Sequence, residues 1–116
     1  MNNIFNIDTY SSLANDLWFT HPGMNKPQSF QERDLTIASL GLAGETGEVM
    51  ELLKKRVRDG NLDIDALEKE LGDVIYYWVT LCRQFGLTPS KVLATNINKI
   101  TDRRERGTLR GSGDNR

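Results

Sequence analysis

Between Leu67 and Cys82, apolar side chains cover more than half of a helix's circumference: Leu67, Leu71, Val74, Ile75, Tyr77, Trp78, Leu81 and Cys82. A helix lying on a surface needs one apolar stripe; this one must be covered on several sides. The rest of the chain carries the same period. Apolar residues Tyr10, Leu13, Leu17 and Trp18 define a first helix, Ile7 to about Phe19, with Asp8 or Thr9 as its cap. A break follows at His21-Pro22-Gly23. A second helix opens near Ser29, whose spacing to Glu32 is that of a capping box, and runs through Leu35, Leu42, Val49 and Leu52 towards Arg58. Asp59-Gly60 ends it. The third runs from about Ala66 to Phe85, capped by Asp63 or Asp65 and stopped by Gly86. Thr88 and Pro89 suit the N-cap and first turn of a fourth helix ending near Glu105. No stretch alternates with strand period. The expected fold is all-α, a bundle of about four helices completed by oligomerisation.

The 116 residues suffice for one domain, expected over 1–106, with 107–116 a tail that is flexible or ordered by ligand. A formal net charge of −1 gives no global attraction to nucleic acid or anionic lipid. Any ion site must therefore be built locally. A single cysteine, Cys82, allows no internal disulfide. No apolar run approaches the roughly 18 residues that span a bilayer, and no secretory signal is visible at Met1 to Asp8. A cytoplasmic protein without membrane contact or specific nucleic-acid binding is expected.

The local ion site is indicated by four acids. Glu45 and Glu48 lie on the second helix, Glu70 and Asp73 on the third. Each pair is spaced i, i+3, which puts both carboxylates on one face. Both pairs sit among apolar neighbours, where clustered like charges are unfavourable unless a cation neutralises them. Oxygen-only donors favour Mg²⁺, with Mn²⁺ as a substitute, over zinc. Gly41, Gly44 and Gly47 interleave with the first pair. Each costs about 1 kcal/mol against alanine in a helix interior, a loss that makes sense where something approaches the backbone closely. On the fourth helix Asn96, Lys99 and Arg103 share a face, and residues 99–116 hold six cations against three acids. A cation site beside a basic, glycine-bearing segment suits a polyphosphate.

The segments GLAGETGEV (41–49), KELGD (69–73) and NINKITDRRERG (96–107) together resemble the MazG-type nucleoside triphosphate pyrophosphohydrolases. The ending GSGDNR looks like that of short, single-domain, phage- or integron-type members. Two departures stand out: Gly44 precedes Glu45 where many members have a second glutamate, and Ala66 stands where a lysine is common. The resemblance implies an all-α, Mg²⁺-dependent enzyme that converts a (d)NTP and water to a (d)NMP and pyrophosphate. A role in nucleotide-pool house-cleaning goes with it. It further implies metal ligation by Glu45, Glu48, Glu70 and Asp73, and phosphate contacts from Lys99 and Arg103 with Asn96 beside them. Glu45 or Glu48 would activate water; Tyr10, Trp18 and Phe19 are candidates to stack on the base, although the apolar face of a first helix is more often plain core. The expected assembly is a homodimer or tetramer. The rival is a non-catalytic helical interaction module of antitoxin or adaptor type, which leaves the glycine–glutamate pattern without a purpose. A di-iron bundle would need Glu-x-x-His motifs, whereas the only histidine is His21.

Overall fold

A computed structural model of the chain describes residues 5–18 and 27–116, with side chains from Glu32 onward in the second stretch. It contains α1 (Ile7–Leu17), α2 (Pro27–Asp59), α3 (Ile64–Gln84) and α4 (Pro89–Glu105), and no strand among the described residues. The fold is all-α. Phe19 and the expected His21-Pro22-Gly23 break lie outside the described residues.

The helix ends follow local hydrogen-bond chemistry, and three differ from expectation. Asn6, not Asp8 or Thr9, caps α1: its backbone is extended and its Oδ1 accepts from the Thr9 amide at 2.9 Å. That frees Asp8, whose Oδ1 accepts from the Ser90 amide at 2.9 Å. Thr88 occupies the N-cap position of α4 but its side chain makes no cap bond. Asp8 supplies that acceptor from another helix, and so ties α1 to α4. Ser29 lies inside α2, which already begins at Pro27, so it is not the N-cap of a capping box. Asp63 caps α3 as expected, accepting from the Ala66 amide at 3.0 Å. Gly86 ends α3 in a left-handed conformation, with the Leu87 amide donating back to the Cys82 carbonyl at 2.8 Å.

The α2–α3 hairpin is the main packing unit, and α1 bridges α3 and α4. Gly41 explains how closely the hairpin closes. A Cβ on Gly41 would overlap the ring of Tyr77, so only a hydrogen there lets the two helices meet. Ala38, Val49, Val79 and Cys82 are buried around this hairpin, with Ala14 added from α1. Tyr77 also meets Trp18 edge-on at 6.3 Å, and Tyr76 meets both of them. Gly44 and Gly47 differ from Gly41, for a Cβ at either would meet open space.

The expectation that α3 is covered all round is only half met within one protomer. Val79, Thr80 and Cys82 are buried, but Leu71 and Ile75 are exposed, as are Leu93, Ile97 and Ile100 on α4.

Alanine at these glycines separates close approach from helix propensity. Gly41→Ala should destabilise the chain by about 1–3 kcal/mol through overpacking against Tyr77. Gly44→Ala or Gly47→Ala should stabilise it by up to about 1 kcal/mol. Urea midpoints measure both, and equal effects at all three positions would contradict the helix contact at Gly41.

Candidate metal centre and basic face

The seam that begins at Gly41 and Tyr77 continues into the acidic pairs. Along α2 the same face carries Gly41, Glu45 and Glu48; along the opposed α3 it carries Tyr77, Asp73 and Glu70. One carboxylate oxygen from each of Glu45, Glu70 and Asp73 lies within 4.8 Å of the others. A single ion can therefore reach all three. Of the expected set of four, Glu48 stands a turn beyond, exposed and outside this group. The cluster is also less deeply set than the sequence suggests, since Glu45 and Glu70 are half-buried and Asp73 is exposed.

The electrostatics register the crowding. The Glu45 carboxyl is held above its ordinary value, first by burial, then by a hydrogen bond with Glu70 and by the charges of Asp73, Glu70 and Glu48. Such a site binds a proton more readily than an isolated glutamate does, and a cation satisfies the same need at neutral pH. The donors are all carboxylate oxygens, which fits a hard divalent ion. Tyr10 is drawn into the same environment, its phenol pushed up by burial and then by Asp73. Trp18, weighed between base stacking and plain core, packs on Tyr76 and Tyr77.

On α4 the expected basic face divides. Asn96 is exposed and lines a cleft of about 400 Å³ with Ile7, Val74 and Trp78. The Lys99 side chain is 40% exposed. Arg103 is different: its side chain is only 7% exposed. Its Nη2 donates to the carbonyls of Gly113 and Asp114 at 3.3 and 2.9 Å and to Asp114 Oδ1 at 3.1 Å. The expectation of a solvent-facing Arg103 is therefore corrected, because the segment after α4 folds back over it. Lys99 Nζ donates to the same Asp114 oxygen at 3.1 Å. Sequence reasoning missed Asp114, although the glycines on either side of Ser112 signalled a chain able to reverse.

An all-α protein thus carries an acidic helix pair that could hold a cation, followed by a helix bearing Lys99 and Arg103 and by a glycine-bearing segment. Residues 34–108, well over half the chain, match the MazG nucleotide pyrophosphohydrolase domain, and the chain belongs to that family. It is also 37% identical to the Gene 37 protein of Mycobacterium phage L5, over 95% of this chain and 98% of that one. No solved structure matches it.

A raised Glu45 has a defined consequence for stability. In the metal-free protein the protonated form is favoured by folding, so its contribution is present at low pH and is lost as pH rises through the raised value. The metal-free melting temperature should therefore drop on this account as pH rises above the ordinary glutamate range. Asp73→Asn should reduce the drop, and millimolar Mg²⁺ should restore the wild type at the upper end. A melting temperature insensitive to both Mg²⁺ and Asp73→Asn would contradict a cation site.

Proposed function

We propose that the chain is a Mg²⁺-dependent nucleoside triphosphate pyrophosphohydrolase, converting a (d)NTP and water to a (d)NMP and pyrophosphate. The observation that carries this reading is the convergence of Glu45, Glu70 and Asp73 from two helices inside the family's own segment. In this reading those three residues hold the ion, Mg²⁺ or Mn²⁺, with Glu48 completing its surroundings. When bound, the ion neutralises triphosphate charge and lowers the pKa of coordinated water. Glu48 is exposed at the edge of the cluster, which suits it to orient a water or take its proton, with Glu45 as the other candidate. Lys99, half exposed on α4, offsets charge on phosphate oxygens, with Asn96 on the same face. Arg103 is withdrawn from direct contact by its burial.

The same reading assigns catalysis to residues 1–106 and treats 107–116 as an appended segment. It includes a homodimer or tetramer, supported by the exposed Leu71, Ile75, Leu93, Ile97 and Ile100. No described helix is long and apolar enough to cross a membrane, which is compatible with a cytoplasmic role in cleaning nucleotide pools.

Pyrophosphate release from a panel of (d)NTPs, with and without Mg²⁺, tests the activity. Asp73→Ala should lower turnover about a hundredfold or more, a loss of about 2.7 kcal/mol in the transition state, while the fold survives. Near-normal activity in that variant, or no release from any nucleotide, would sink the proposal and favour a binding module.

Lys99→Ala supplies a separate check on the basic face. It should lower kcat/KM about tenfold and leave stability within about 0.5 kcal/mol, as surface changes usually do. Arg104→Ala, exposed and about 140° from Lys99 around the helix, is the control and should change neither. Equal losses in the two variants would show that the face is wrongly assigned.

A further inference from the structure

The eleven residues after α4 form a closed hook. Gly107, in a left-handed conformation, ends the helix, and the Thr108 amide donates back to the Arg103 carbonyl at 2.7 Å. Gly111 and Gly113 also take positive φ, where other residues are strained, and reverse the chain. Arg116 then closes the hook on itself, donating to the carbonyls of Thr108, Leu109 and Gly113 at 3.2, 3.2 and 2.6 Å. Its own carbonyl accepts from Arg106 Nη2 at 2.8 Å. Arg103 pins the assembly from below through Gly113 and Asp114.

This arrangement leaves the Asp114 side chain facing out, beside the basic face of α4. The Asp114 carboxylate is 81% exposed, and its Oδ1 accepts from both Arg103 Nη2 and Lys99 Nζ at 3.1 Å. Those two bonds hold the Asp114 carboxyl below its ordinary range. A lysine on a helix surface usually samples many rotamers, and holding it in one removes an ordering cost from any ligand that uses it. Arg103 cannot meet an incoming anion while the hook is closed, whereas Lys99 can.

We propose that Arg103 and Asp114 are positioning residues: Arg103 pins the C-terminal hook, and the hook's Asp114 holds the Lys99 ammonium in place for substrate phosphate. The inference rests on the hydrolase reading for the phosphate, and on the hydrogen bonds alone for the hook. It changes the role expected for Arg103 from phosphate ligand to anchor. It also gives the GSGDNR ending a task within the site: the glycines turn the chain, the aspartate sets the lysine and the arginine closes the loop.

The test is a double-mutant cycle on the full chain, read by steady-state kinetics and by ¹H–¹⁵N heteronuclear NOE of residues 108–116. Asp114→Ala should raise KM about tenfold and leave kcat within about twofold, because ground-state placement of Lys99 is what it removes. Asp114→Asn, which keeps an acceptor, should recover part of the loss. In a Lys99→Ala background, Asp114→Ala should add nothing beyond about twofold. The NOE should report an ordered hook in the wild type and in Asp114→Ala, where the Arg103 bonds to two carbonyls persist, and a mobile one in Arg103→Ala. Full additivity of the two substitutions, or a hook mobile in the wild type, overturns the proposal. So does an Asp114→Ala hook as mobile as that of Arg103→Ala, since Asp114 would then be structural. A wild type that releases no pyrophosphate overturns the hydrolase reading and the phosphate role of Lys99 together, while the NOE still decides whether Arg103 pins the hook.

Discussion

The close approach of α2 to α3 is the constraint on which the rest depends. It exists because Gly41 leaves room for the Tyr77 ring, and it carries Glu45 into reach of Glu70 and Asp73 one turn further along. The same contact has opposite effects on stability. Around Val49, Val79 and Cys82 it buries apolar surface, which stabilises the hairpin. At the acidic turn it crowds three carboxylates, which destabilises the chain until a proton or a cation arrives. Function and stability compete along a single seam.

Electrostatic asymmetry organises the remainder. The clustered acids Glu45, Glu70 and Asp73 lie on the hairpin, while Lys99 and Arg103 lie on α4, whose helix contacts come mainly from α1. Asp8 strengthens that connection by capping α4 from α1, a bond to the positive end of a helix dipole. The cations of α4 are then partly satisfied by the folded-back segment. Arg103 directs its charge to two carbonyls and to Asp114, and Arg106 pairs with Asp102 at 2.7 Å. Lys99 and the exposed Arg104 are left nearest to solvent, and only Lys99 shares a face with Asn96.

Much of this is legible in the residues because helix period, glycine and carboxylate spacing act locally. The four helices, the cap at Asp63 and the stop at Gly86 follow from such rules. Spacing of i, i+3 by itself assigns the acids to helix faces, and Gly41 marks a close approach. The features that local rules do not reach are long-range. Asp8 caps a helix 82 positions away, and Thr88 consequently goes without a side-chain cap bond. Arg103 has the spacing of a surface cation, and spacing alone cannot show that a chain turning at Gly111 and Gly113 will cover it. Glu48 has the right spacing to Glu45, yet it lies outside the group formed by Glu45, Glu70 and Asp73, and helix spacing alone does not show which turn of α2 faces α3.

The central claim is that Glu45, Glu70 and Asp73 form one divalent-cation site. Anomalous diffraction from crystals grown with Mn²⁺ tests it most directly. The account predicts a manganese peak bonded by oxygens of all three residues, at about 2.0–2.3 Å. Manganese bound only elsewhere on the chain, with these carboxylates turned apart, would contradict it.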